Sequence, residues 1–379
     1  MAKAQAEMPL DWSEIERLLP GGWRQQADEL KLVRKLPAHM RTKVTDISQV
    51  LRLVLYMVAT NSALLVATAT FAAAGLLTLS SVSLHQWMRR LGPYLANLVA
   101  QIVGEEHAKF SPERWAGYVP IMVDASVVNN PGAKGTTARL HKALRLTDLR
   151  VVDVQVTDVT GGETFRRFHP VKGELWIGDR GYANPPGIAS VVANDAAVLV
   201  RYNRGSLPLY DARGAPIDVL HNKLTKLTKA CRSREWQAFV HVEGKRIEGR
   251  LCAVRLPENK AAEARTRARK EHGADVTDDT LRMAEFVAVF TTVPRDKLSC
   301  DHMLELYRLR WQVELEFKRD KSITGLDRLP NFRPDTIVTW IYAKLLLHQI
   351  ARKLTASVGD FPPSAVAAVA AVANAAVRG

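Results

Sequence analysis

The sequence predicts a mixed α/β chain: a sheet flanked by helices and interrupted by a basic, β-rich interval. Three observations predict it. Short apolar runs of strand length follow one another between residues 119 and 202, with helical patterns among them. Longer helical patterns fill residues 1–115 and the chain after residue 299. Between 204 and 283 the pattern turns basic and alternating, as an insertion into the α/β part would.

Composition bounds the answer. The chain has 379 residues, 47% of them hydrophobic and 24% charged, which excludes a disordered chain and suggests two or three domains. Lys and Arg number 53 against 39 Asp and Glu, a net +14. That excess points to a polyanionic partner, nucleic acid or an acidic membrane surface. Three cysteines, Cys231, Cys252 and Cys300, form no CxxC pair. A disulfide framework and a cysteine-rich zinc site are therefore not expected, and a reducing cytoplasm is. Met1 to Trp12 lacks an apolar segment behind a basic start and does not read as a signal peptide.

In chain order, Ser48 opens a long apolar helix, and Leu53–Leu79 contains 27 residues without a charge. Seven alanines, four threonines, Asn61 and Gly75 dilute it, so buried helices are expected; a membrane span stays open as the alternative. Gly75 and Ser80-Ser81 punctuate, and Ser83–Leu91 follows as a short helix with a basic end. Helix, glycine turn, helix is the helix-turn-helix pattern, though ordinary paired helices look alike. Strands are expected at Val119–Val123, Ala138–Thr147, Val151–Thr157, Leu175–Gly178 and Ala197–Tyr202. Short helices are expected at Glu163–His169 and about 184–194.

Residues 201–255 carry 12 Lys and Arg against 5 Asp and Glu, seven of the surplus fourteen. Within them Lys223, Lys226 and Lys229 form a small basic repeat: a grip for a phosphate backbone, or a solvated face. The final Ser364–Val377 is largely Ala and Val, a marginal helix or a tail ordered by a partner.

Two aspartates follow apolar strands: Asp124 after Pro120–Val123 and Asp179 after Leu175–Gly178. A carboxylate there sits at the rim of a sheet, where α/β folds hold ligands. Side by side, two such groups repel and call for a proton or a hard divalent cation. Either could equally be a turn or cap residue. The third acid comes from a helix expected over Ser299–Lys321. At about 100° per residue Tyr307, Arg310, Glu314 and Lys321 share a narrow arc. Leu306, Leu309, Val313 and Phe317 form the apolar stripe, while Glu305, Arg308, Gln312, Glu316 and Arg319 form a solvent face. Pairing of Glu314 with Arg310 and Lys318 along the helix is the other reading of this stripe.

Tyr307-x2-Arg310-x3-Glu314-x6-Lys321 resembles the Tyr–Arg–Glu–Lys signature of bacterial insertion-sequence DDE transposases, in the family of insertion sequence four. Val123–Ser126 and Gly178-Asp179-Arg180-Gly181-Tyr182 are similar to that family's two aspartate motifs. Thr160–Thr164 and Gly325–Pro330 are also similar, and the likeness spans about residues 45–355. The resemblance implies an RNase H-like core over 116–203 and 284–332, split by the 204–283 insertion. A helical DNA-binding domain over 1–115 and C-terminal helices over 333–379, a possible dimerisation region, would flank it.

It further implies that Asp124, Asp179 and Glu314 hold a two-metal site for Mg²⁺ or Mn²⁺. Tyr307, Arg310 and Lys321, with Arg180 and Tyr182, would contact DNA phosphates. The implied partner is double-stranded DNA at transposon ends and target, bound by a homodimer in the synaptic complex. No membrane partner and no nucleotide cofactor are expected, since no Walker sequence occurs. A base beside the cut stacks on an aromatic residue in some relatives; Trp311 lies near the site face, but packing explains it equally well. A nuclease of the same fold that does not join strands, or a non-catalytic DNA-binding regulator, are the competing readings.

Overall fold

The computed structural model describes residues 11–33, 43–108, 115–129, 135, 137–230, 232–326, 334–357 and 365–377. Cys231 and the Asp327–Pro330 end of the Gly325 motif lie outside them.

Eight strands form one mixed sheet in the order β3-β2-β1-β4-β5-β8-β7-β6. They are β1 (Val119–Val128), β2 (Ala138–Arg145), β3 (Arg150–Thr157), β4 (Glu174–Gly178), β5 (Ala197–Arg201), β6 (Ser233–Val242), β7 (Lys245–Arg255) and β8 (Phe286–Thr291). β1, β2 and β3 pair antiparallel. β1, β4 and β5 run parallel through the middle. The interval expected to be an insertion contributes β6 and β7, which extend this same sheet beyond β8.

Alternate side chains of these strands feed two apolar clusters, one on each face. Ile121, Val123, Trp176, Val198 and Val200 go to one face. Met122, Leu175, Ile177 and Leu199 go to the other. The first face is covered by α6 (Pro185–Val192), the 3₁₀ turn Phe165–Arg167 and α7 (Val219–Asn222).

Most of the helical mass covers the second face. Its N-terminal part is α1 (Trp12–Leu18), α2 (Trp23–Glu29), α3 (Ile47–Thr60), α4 (Leu64–Ala73) and α5 (Ser81–Ala108). The apolar run over 53–79 is therefore two helices and not one. Asn61, in the left-handed region at φ 50°, ends α3, and Gly75 at φ 70° follows α4. Asp46 caps α3, its side chain accepting from Ser48 N–H at 2.5 Å, with Gln49 closing the capping box. The expected short helix Ser83–Leu91 is the first third of the 28-residue α5. Among the described residues no helix is long and apolar enough to cross a membrane.

After β7 come α8 (Glu258–His272) and α9 (Asp278–Ala284), and after β8 come α10 (Cys300–Arg308) and α11 (Trp311–Thr324). The helix expected over Ser299–Lys321 is thus broken at Leu309–Arg310. Leu309 N–H bonds the Leu306 carbonyl at 3.1 Å and Arg310 N–H the Tyr307 carbonyl at 3.1 Å, the tighter i→i+3 pattern. The C-terminal helices are α12 (Pro334–Ser357) and α13 (Ala365–Val377). α12 packs along α5, and α13 lies on α3, where Arg52 Nε donates to the Ala376 carbonyl at 2.6 Å. The Ala-Val segment packs against helices of its own chain, α1 and α3 on one side and α11 and α12 on the other. Buried Lys344 ties three helices together: its Nζ donates to Asn61 Oδ1 at 2.7 Å, Thr324 O at 2.6 Å and Gly325 O at 2.9 Å.

Candidate active site

The parallel strands bring the two aspartates level. Met122 of β1 lies opposite Ile177 of β4, and the same register carried on two residues sets Asp124 against Asp179. Gly178 of β4 lies opposite Val200 of β5, so one residue further Asp179 faces Arg201. Asp124, Asp179 and Arg201 thus form a row along the carboxyl ends of three parallel strands, the edge where open α/β sheets hold ligands. Asp124, expected just past its strand, lies within it. β1 runs on to Val128, because β2 stays beside it after β4 has ended, with Asp124 opposite Lys142.

The break between α10 and α11 brings Arg310 over this row. Its Nη2 lies 2.7 Å from Glu314 Oε1 and its Nη1 3.8 Å from Asp124 Oδ2. Asp179 Oδ1 accepts from Gly181 N–H at 2.8 Å, and Asp124 Oδ1 from Ala125 N–H at 3.0 Å. Burial pushes the Asp124 carboxyl up to about 7; the charges of Asp179 and Glu163 add to the push, and Arg310 opposes it. Tyr307 is raised by burial between Arg201 and Arg310. Burial also lowers Arg201 to about 10.

A groove of about 500 Å³ opens beside the row. Asp179, Arg180, Tyr307 and Arg310 line it, with Arg201, Arg204 and, from α8, Arg267. Arg204 is partly neutralised by Asp279 at 2.5 Å, whereas Arg180 and Arg267 make no ion pair among the described residues. Such a wall suits a phosphate backbone.

Of the residues singled out in the sequence, Asp124, Asp179, Arg310, Glu314, Tyr307 and Arg180 come together here. Lys321 is half-buried, about two turns beyond Glu314, and is not part of the groove wall. Trp311 is half-exposed at the start of α11.

Tyr182 departs from expectation. Its side chain is fully buried, packed against Phe165 at 5.2 Å between ring centroids, and it cannot face a phosphate. Gly178 leaves room for it: a Cβ there would lie 2.6 Å from Tyr182 Cβ. Glu316, expected on a solvent face, is likewise buried. Lys142 from β2 and Arg352 from α12 reach it at 3.6 and 3.5 Å. Beside it Lys142 Nζ lies 2.5 Å from Asp320 Oδ2, and His348 Nδ1 2.6 Å from Asp320 Oδ1.

Four residues went unassigned in the sequence: Glu163, Arg201, Arg204 and Arg267. Arg201 carried a readable signal, since it ends an apolar strand as the two aspartates follow theirs. The others belong to loops and a helix brought in by tertiary packing.

The all-oxygen donor set of Asp124, Asp179 and Glu314 suits a hard divalent cation, which would favour the Asp124 carboxylate against the burial and acidic neighbours that raise it. The three carboxylates are not all within 4.8 Å of one another. Among the described residues two other clusters of ligand-type atoms are that close, Glu316–Asp320–His348 and Glu235–Cys252–Cys300. Lys142 already serves the first as its cation, and Arg250 and Arg295 neutralise Glu235.

This fold and this row of acids define a class. Residues 116–350, more than half the chain, match the transposase DDE domain, and the chain belongs to that family. It is a bacterial insertion-sequence DDE transposase. It is 30% identical over 295 residues to InsL of insertion sequence element IS186A from Escherichia coli strain K12, covering 76% of this chain and 79% of that protein. The Escherichia coli transposase for insertion sequence element IS421 matches equally, over 76% of this chain and 78% of that one. Among solved structures, a piggyBac transposase in a synaptic complex with hairpin DNA shares the fold at a TM-score of 0.50 and 9% identity. That match covers 96% of this chain and 77% of the other.

Proposed function

We propose that this chain binds the terminal repeats of a mobile element, cleaves the ends by divalent-cation-dependent hydrolysis, and joins the freed 3′-hydroxyl to target DNA. The observation that carries the reading is the level pairing of Asp124 and Asp179 on neighbouring parallel strands, with Arg310 and Glu314 across from them. The strand order β3-β2-β1-β4-β5 fits an RNase H-like core, and β6 and β7 with their helices fit its insertion.

Bound Mg²⁺ or Mn²⁺ would supply Lewis acidity and charge neutralisation at the reacting phosphate. Asp124, Asp179 and Glu314 would hold it. Arg310, Tyr307 and Arg180 orient the phosphodiester from the groove side, and Arg201 adds positive charge behind Tyr307. In the first step water adds to phosphorus and the bond to the 3′-oxygen breaks, leaving a 3′-hydroxyl. In the joining step that hydroxyl attacks a target phosphorus and displaces the target's own 3′-oxygen. One phosphodiester replaces another, so no nucleotide cofactor is needed. Positioning and electrostatics then carry the catalysis. Two ends cut in concert call for two chains, and the homodimer belongs to this reading.

The test is cleavage of a labelled terminal repeat. Asp124→Ala, Asp179→Ala and Glu314→Ala should each abolish Mg²⁺-dependent cutting while DNA binding persists. Normal cutting by Glu314→Ala would remove that residue from the triad. Precut ends should be joined to target DNA; hydrolysis without joined products would favour a nuclease of the same fold.

A further inference from the structure

A fourth carboxylate shares the rim with Asp124 and Asp179. Glu163 stands in the loop just before the 3₁₀ turn Phe165–Arg167 and is half-buried. Its Oε2 lies only 1.7 Å from where a Cβ on Gly181 would sit. The glutamate carboxylate occupies the space that a side chain at position 181 would take. The same residue donates its N–H to Asp179 Oδ1 at 2.8 Å, so one glycine lies against both acids. Glu163 makes no ion pair among the described residues. Its charge is felt at Asp124, and that of Asp179 is felt at Glu163.

A second observation is independent of the acids. The Tyr182 hydroxyl is fully buried and has no hydrogen-bond partner among the described residues. The acidic charges that act on it are Glu163, then Asp124, then Asp179. Its ring rests on Gly178 and Phe165, next to the strand end that carries Asp179.

We propose that Glu163 is a fourth carboxylate of the cation-holding set, sharing its ion with Asp179, and that Tyr182 is a positioning residue whose hydroxyl steadies the set. The proposal rests on the reading of Asp124 and Asp179 as cation ligands. Asp124, Asp179 and Glu163 outnumber the two guanidiniums, Arg139 and Arg310, that act on Glu163, and a divalent ion would offset the difference. A buried hydroxyl near the acids is the kind of outer partner that orients metal ligands.

Mn²⁺ binding to the full chain without DNA, followed by electron paramagnetic resonance, tests this. Glu163→Gln should weaken Mn²⁺ binding about 10–100-fold. Its Tm in EDTA should equal or exceed the parent's, because one of three repelling acids is gone, while the rise in Tm on adding Mn²⁺ should shrink. Tyr182→Phe should weaken Mn²⁺ binding less than Glu163→Gln does and leave DNA affinity unchanged. If Glu163→Gln melts too low to assay, Glu163→Asp takes its place, with weaker Mn²⁺ binding expected. Parent-like Mn²⁺ binding by the Glu163 variant, alongside its loss in Asp179→Asn, overturns the proposal alone. Parent-like binding by both Asp124→Asn and Asp179→Asn overturns the underlying reading of the site.

Discussion

Arg310 stands between two of the acids, its Nη1 3.8 Å from Asp124 Oδ2 while its Nη2 holds Glu314 at 2.7 Å. The guanidinium supplies positive charge where a divalent cation would also act, and it lines the groove. Arg310→Gln should therefore leave Mn²⁺ binding as tight as in the parent or tighter. Single-turnover cleavage should fall by about 10²–10³-fold, the usual cost of losing one charge-stabilising donor. Unchanged cleavage would deny Arg310 a part in the reaction.

Asp124 gives the cation-free protein a pH signature. Its folded value, raised by burial to about 7, lies above the ordinary 3.8. The folded state thus favours the neutral acid. That contribution to stability is whole below the ordinary value and is lost as pH rises through about 7. In EDTA the parent's Tm should fall across this window relative to Asp124→Asn, and added Mg²⁺ should narrow the gap. Parallel pH profiles for the two proteins would refute the assignment.

The Lys142–Asp320 pair links β2 to α11 with both side chains out of water. Burial pushes the Asp320 carboxyl up, but Lys142 and His348 outweigh it and hold it at about 2. Asp320→Ala leaves buried Lys142 with only the more distant Glu316 at 3.6 Å, so urea unfolding should show a loss of up to about 3–5 kcal/mol. Lys142→Met combined with Asp320→Leu should recover most of that loss, since an apolar pair carries no desolvation cost. Failure of the double variant to improve on the single one would mean that packing, not charge, sets the loss.

Lys226 and Lys229 are exposed, and Leu224 and Leu227 anchor the turn that carries them. Neutralising Lys223, Lys226 and Lys229 should weaken DNA binding across sequences. It should also shallow the slope of log affinity against log salt by about 0.9 for each DNA phosphate that the variant no longer neutralises. An unchanged slope would leave the repeat as a solvated surface.

What was legible in the sequence follows from local physics. Apolar runs located the central strands to within a few residues, and the rule of carboxylates beyond strand ends singled out Asp124 and Asp179, although Asp124 lies within its strand. Four things were not legible. The break at Leu309–Arg310 involves two good helix formers, so no breaker marks it; it is set by how α10 and α11 pack on the sheet. Glu316 and Asp320 look like surface charges until Lys142 arrives from a strand more than 170 residues earlier. Tyr182 sits in a motif of polar and glycine residues that reads as a groove, yet two glycines in that motif serve close packing, one under Tyr182 and one under Glu163. The insertion hid its architecture too: its alternating strands resemble a free-standing β unit, and only pairing with β8 shows that they prolong the main sheet.

The seat of α13 on α3 has a consequence for how the protein is made. The face of α3 that α13 covers leaves the ribosome roughly 300 residues before its cover does. Until synthesis reaches Ala365–Val377, the helical body that backs the sheet exposes an apolar seam, the kind of surface that makes an incomplete chain prone to aggregate. A premature stop anywhere before the last helix would not trim a spare tail. It would release a polypeptide whose core lacks one wall.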